Sequence, residues 1–142
     1  MNKVFFDLEW NTGFLDGNSF DEIIEIGAVK TDEEYRQIDG FRRLIRPVIY
    51  RKMNPYIQKI LAITMKDLQG EEPLASVAKA FFDWCGDCDT LIAWSGNDFG
   101  VLEKNLAHIG MKIPEQLGRY DVQMAYAYRT ENSIRNYALK AA

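Results

Sequence analysis

Ten residues, Val-Phe-Phe-Asp-Leu-Glu-Trp-Asn-Thr-Gly from Val4 to Gly13, set the terms on which this chain can fold. The apolar positions read as a strand, yet Asp7 and Glu9 sit in its middle. Side chains alternate between faces along a strand, so both carboxylates point the same way. Like charges side by side on one face repel, and a buried carboxylate is costly unless something neutralises it. A divalent cation does so, and hard oxygen ligands suit Mg²⁺ or Mn²⁺. Two-metal phosphoryl chemistry holds its ions roughly 3.5–4 Å apart, so that they clamp the attacking and leaving oxygens. Such a site needs carboxylates from several elements, of which this strand supplies two.

The rest of the chain reads as further strands and then helices. Lys3 to Glu9 is strand one, and the Gly- and Asn-rich stretch Asn11 to Phe20 reads as a loop. Ile23 to Lys30 is strand two, and Tyr35 to Arg46 contains strand three, which gives an antiparallel meander. Pro55 to Leu61 is a short helix with Asn54 as its cap. A helical turn starts at Thr64. Glu71 to Trp84 is a longer helix, with Pro73 in its first turn and Leu74, Val77, Ala78, Phe81 and Phe82 at helical spacing. Leu91 to Trp94 is strand four, Asp98 to Ile109 a helix, and Arg119 to Val122 strand five. Helical stretches are expected over Gln123 to Tyr128 and Ile134 to Ala142, the second capped by Ser133. The order β-β-β, helices, β-α-β-α predicts an α/β fold, a mixed sheet with helices packed on it.

A second acid-bearing stretch follows strand four, in Ala-Trp-Ser-Gly-Asn-Asp-Phe-Gly-Val-Leu from Ala93 to Leu102. Ser95, Gly96 and Asn97 form the turn, and Asp98 opens the helix, where the dipole favours an acid. Asp98 shares its helix face with Leu102 and Leu106, which aims it over the sheet edge toward strand one.

Composition narrows the alternatives. One domain fits 142 residues. A net charge of −4 does not suggest a protein held to nucleic acid by bulk charge. The basic residues are nonetheless uneven: Arg42, Arg43, Arg46, Arg51, Lys52 and Lys59 crowd one short region, either as a solvated face or as a phosphate-facing rim. No apolar run is long enough to span a membrane, and the N-terminus is too polar for a signal peptide. The expected location is cytoplasmic. Trp84-Cys85-Gly86-Asp87-Cys88 has the spacing of a thioredoxin redox motif, but it follows a helix and precedes a strand, the reverse of that motif's setting. A buried thiol pair is expected there instead.

With these stretches in this order, the chain resembles the DEDD exonucleases. More narrowly, it resembles the RNase T / DNA polymerase III epsilon-type 3′–5′ exonuclease superfamily, from Val4 to about Tyr128. The motifs are Asp-Leu-Glu-Trp-Asn-Thr-Gly, Glu-Ile-Ile-Glu-Ile-Gly-Ala-Val-Lys and Trp-Ser-Gly-Asn-Asp-Phe-Gly-Val-Leu. The resemblance implies a ribonuclease H-like fold. It implies that Asp7, Glu9 and Asp98 hold two divalent ions, Mg²⁺ or Mn²⁺, and activate a water to attack the terminal phosphodiester. The partner it implies is the 3′ end of single-stranded DNA or RNA, with no membrane. Trp10, Asn11, Thr12, Leu61, Asn97 and Phe99 fall where the family approaches the terminal nucleotides, with Leu61 as an apolar wedge and Trp10 or Phe99 as a stacking surface. Glu25 reads as structural.

The chain departs from the family at the third motif, a fourth Asp preceded at fixed spacing by His or Tyr. The one histidine, His108, has Ile113 five residues on, and Asp121 reads as a structural or helix-capping residue. The final Ser-Ile-Arg-Asn-Tyr-Ala-Leu-Lys resembles the helix before that motif. From this we expect a single exonuclease-like domain, 1–142, lacking the family's C-terminal helix, impaired in activity and prone to self-association through the uncovered face. The alternative is a catalytically inactive nucleic-acid-binding relative, or an interaction module on the same fold.

Overall fold

In a computed structural model, residues 1–94, 96–123 and 125 are described. The chain opens with three antiparallel strands: β1 (Lys3–Leu15), β2 (Asn18–Thr31) and β3 (Gln37–Leu44). Three helices follow, α1 (Pro55–Leu61), α2 (Met65–Leu68) and α3 (Leu74–Cys85). Then come β4 (Thr90–Ala93), α4 (Gly96–His108) and β5 (Gly118–Asp121). The five strands form one mixed sheet in the order β3-β2-β1-β4-β5, with β4 parallel to both β1 and β5.

The expected loop over Asn11 to Phe20 is instead hydrogen-bonded strand. β1 and β2 stay paired out to Leu15 and Asn18, joined by Asp16 and Gly17 alone. Both turn residues have positive φ, 52° and 81°, as a type I′ turn requires. Asp-Gly is the dipeptide that favours this turn, and it outweighs the other polar residues around it. Pro73 also moves, from the first turn of α3 to the residue that caps it. The expected helical stretches over 123–128 and 134–142 lie largely or wholly outside the described residues.

Alternation along the strands divides the core in two. Val4, Phe6 and Leu8 point to the face covered by α3 and α4, where Val77, Phe81, Leu102 and Leu106 are fully buried. Leu44, paired through Glu25 to Glu9, points to the other face, where Ile24, Met53 and Leu68 form a smaller cluster under α1 and α2. Asn54 caps α1, accepting from the amides of Tyr56 and Ile57, and Thr64 and Asp67 cap α2 reciprocally. Cys85 and Cys88 are free thiols buried in the larger core. Burial pushes the Cys85 thiol up to about 12, which leaves it protonated and unreactive.

Between Glu9 and Trp10 the register of β1 and β2 slips: Glu9 pairs with Glu25 but Trp10 with Ile23, so Ile24 is an extra residue. The slip leaves the Ile23 amide outside the ladder, and the Asn105 side chain of α4 accepts it at 3.1 Å. Asn105 is buried and also donates to the carbonyls of Asp21 and Val101. The bulge is thereby locked to α4.

Candidate active site

β1 runs past the end of its short pairing with β4, which stops at Phe5 and Ile92. Asp7 and Glu9 thus lie just beyond the carboxyl end of β4, on the face opposite Phe6 and Leu8. α4 starts at that same end, and Asp98, in its first turn, is 8% exposed. The helix begins two residues before Asp98 rather than at it, and Asn97 belongs to its first turn. Ser95 lies outside the described residues.

The charges of these acids are felt mutually. Burial is the main effect on Asp98, and the negative charges of Asp7, Glu9 and Asp121 add to it, pushing its carboxyl up to about 7. Glu9 is raised by burial first, then by Asp7 and Glu25. Asp121, read from sequence as structural, ends β5 beside Ala93 and contributes to the field on Asp98. Its position at the end of a strand parallel to β4 is the signal that could have placed it here. Glu25 stands across from Glu9 on β2 and is held by the Arg42 guanidinium at 2.7 Å.

Four acids from three segments therefore share one end of the sheet. Among the described residues, no three Asp, Glu, His or Cys side chains are close enough together to hold one ion. The donor chemistry still fits a divalent cation: Asp7, Glu9 and Asp98 offer hard oxygens, and the Glu9 and Asp98 carboxyls are raised by burial and by one another's and their neighbours' negative charge. Asp7, Glu9 and Asp98 are the residues that would hold it.

The residues expected at the substrate divide. Trp10, on the same face of β1 as Phe6 and Leu8, lines a cavity of about 480 Å³ with Asn97, Asp21 and Lys104. Thr12 donates to Asp21 at 3.0 Å at the edge of the same region. Leu61 is half-buried against the smaller core at the end of α1. Asn11 and Phe99 are both buried. Asn11 is 0% exposed, and its amide is committed, donating to the Lys52 carbonyl at 3.0 Å and accepting from the Asn54 amide at 2.8 Å. It ties β1 to the start of α1. Phe99 is 7% exposed and packs edge-on against Phe6, with ring centroids 5.2 Å apart. It is core, because the residue after Asp98 on α4 turns back under the sheet.

The sequence profile of the RNase T exonuclease family matches residues 4–141. The chain is 34% identical over 112 residues to a PolC-type DNA polymerase III of Clostridium perfringens, a match covering 78% of this chain and 7% of that protein. Among solved structures, it is similar to the nuclease domain of 3′hExo, a DEDDh family member bound to rAMP, with a TM-score of 0.76 at 17% identity. That similarity covers 93% of this chain and 71% of the other. Exonuclease I of E. coli in complex with an oligonucleotide gives a TM-score of 0.73 at 15% identity, over 96% of this chain and 32% of the other. Cell-death related nuclease 4 gives 0.72 at 12% identity, over 96% and 51%. The chain thus spans a small part of the polymerase it matches and from a third to about two thirds of these structures.

Proposed function

Because the chain belongs to the RNase T exonuclease family, we propose that its acidic cluster hydrolyses the terminal phosphodiester at the 3′ end of single-stranded DNA or RNA. The observation that carries this reading is geometric: Asp7 and Glu9 on β1, the buried Asp98 in the first turn of α4 and Asp121 at the end of β5 gather at one end of the sheet, and the raised Asp98 carboxyl is consistent with it. Acids gathered this way destabilise the fold unless they serve a cation. Two divalent ions, Mg²⁺ or Mn²⁺, would supply Lewis acidity toward the phosphoryl oxygens and lower the pKa of the attacking water.

The chain's own groups do the rest. Asp7 and Glu9 present two carboxylates from a rigid central strand, and Asp98 presents a third from a helix anchored by Asn105 to the neighbouring strand. A cavity lined by Trp10, the residue after Glu9, by Asn97, the residue before Asp98, and by Lys104 would offer an indole, an amide and an ammonium to a terminal nucleoside or its phosphate. Water adds to phosphorus, the bond to the 3′ oxygen breaks, and a nucleoside 5′-monophosphate leaves with a new 3′ hydroxyl on the strand. The relatives named above bind rAMP and oligonucleotides, which supports this substrate class.

The test is digestion of 5′-labelled single-stranded DNA and RNA with Mn²⁺, against an EDTA control. A metal-dependent ladder shortening from the 3′ end is expected, and Asp7→Ala should abolish it. A ladder that survives Asp7→Ala assigns the activity to another site. No cleavage with strand still bound would favour a binding relative over an enzyme.

A further inference from the structure

The basic cluster between β3 and α1 is not used by the catalytic geometry. Two of its members, Arg46 and Arg51, line one cavity of about 490 Å³ with Tyr50, Met65 and Gln69. No acid lines it, although the chain carries a net charge of −4. Among the described residues, neither guanidinium forms an ion pair, whereas Arg42 is held by Glu25 and Arg119 by Glu103. Two arginines without ion-pair partners lining one space carry planar arrays of donors that match phosphate oxygens.

The loop that carries them has no regular secondary structure, yet it is fixed along its length. The Ile45 amide donates to Ile24, and the Arg46 amide to Glu72. The buried carboxylate of Glu22 accepts from the amides of Val48, Ile49 and Tyr50, at 2.8–3.0 Å. The Tyr50 hydroxyl donates to the Phe20 carbonyl at 2.7 Å, and its ring fills the space over Gly13, where a Cβ would come within 2.7 Å. Asn11 holds the Lys52 carbonyl, next to Arg51. Every anchor but those of Ile45 and Arg46 lies on the β1–β2 hairpin beyond Glu9. Asn11 is two residues past Glu9, about 7 Å along the strand. The arginine pocket is therefore held in place relative to the catalytic carboxylates by the same strand.

We propose that the Arg46–Arg51 pocket binds a backbone phosphate of the nucleic-acid strand, a few nucleotides upstream of the 3′ end held at Asp7, Glu9 and Asp98. This rests on the substrate class proposed above. It gives an acidic domain a local grip on a polyanion, so that longer strands bind more tightly than a dinucleotide.

The experiment uses the Asp7→Ala chain as a non-cleaving background and fluorescence anisotropy with labelled single strands across a salt series. For single strands, log Kobs falls with log salt by about 0.7 for each phosphate neutralised. Arg46→Ala with Arg51→Ala should reduce that slope by about 0.7, the share of one phosphate, and Arg46→Lys with Arg51→Lys should restore most of it. In the otherwise native chain, the double alanine variant should raise KM on long strands, leave kcat unchanged and leave dinucleotide cleavage untouched. An unchanged slope with normal binding overturns the pocket and leaves the exonuclease reading standing. Wild-type chain that binds strand with the expected slope but cleaves nothing overturns the exonuclease reading and leaves the pocket standing. Inorganic phosphate that erases the wild-type advantage at low millimolar concentration would make this a free-anion site, against the proposal. Absence of any strand binding overturns both.

Discussion

Asp98→Asn should make the metal-free protein more stable, and by an amount that depends on pH. The Asp98 carboxyl ionises at about 7 in the folded chain against 3.8 when free of its surroundings. The unfolded state therefore loses this proton first as pH rises, and the folded state keeps it. Folded protein binds more protons across that window, so its stability falls with rising pH between about 3.8 and about 7 and is level above. At about 1.4 kcal/mol for each pH unit, the penalty reaches at most about 4 kcal/mol at about pH 8, and under 2 kcal/mol at about pH 5. Asparagine is nearly isosteric and does not ionise. In EDTA, urea unfolding should show the variant ahead of wild type at about pH 8, with the gap shrinking by up to about 3 kcal/mol at about pH 5. At an m-value of about 1–3 kcal/mol/M that is a midpoint change of about 1 M or more. Saturating Mn²⁺ should then reverse the order, because it rewards the carboxylate and not the amide. A variant less stable than wild type in EDTA at the higher pH, or a gap indifferent to pH, would refute the reasoning that Asp98 is a destabilised acid awaiting a cation.

Asp121→Asn should lower the Asp98 carboxyl toward its ordinary range by removing one of its negative neighbours; a carbon-detected NMR titration in EDTA reads this directly, and no movement would place Asp121 out of reach. Glu22→Gln keeps the shape but offers a single acceptor to three amides, so it should cost about 2–3 kcal/mol in thermal or urea unfolding and loosen the 48–50 loop to hydrogen exchange. Asn11→Ala strands the Asn54 amide and the Lys52 carbonyl, with a cost of about 1–3 kcal/mol and faster exchange at the start of α1; an unaffected exchange pattern would contradict its role as a tie.

The sheet, its mixed character and the pairing of Asp7 with Glu9 were legible in the sequence because period-two alternation and helical spacing carry them directly. α1 matched residue for residue, since Pro55 and the Asn54 cap mark its start unambiguously. The β1–β2 hairpin is hidden in the sequence because the Gly and Asn density of Asn11 to Phe20 masks the one dipeptide, Asp16-Gly17, that specifies a two-residue turn. Asn11 and Phe99 are placed by family position in the sequence, whereas the partners that bury them, Lys52 and Phe6, come from far along the chain. The bulge itself has no signature in Ile23-Ile24. Likewise, the influence of Asp121 on Asp98 depends on β5 lying parallel beside β4, a long-range pairing that no local pattern encodes.

That long-range pairing also orders events in time. Asp7 and Glu9 sit in the middle of a hairpin whose two strands are neighbours in sequence, so their positions are set by contacts that close quickly. Asp98 arrives only when β4 docks beside β1, joining Lys3 to Thr90 across most of the chain. Asp98 is thus kept away from Asp7 and Glu9 until β4 docks, and its share of the electrostatic penalty falls on that late step rather than on the hairpin. Cations that offset the charge of these acids would act on that step, speeding completion of the fold or slowing its reversal.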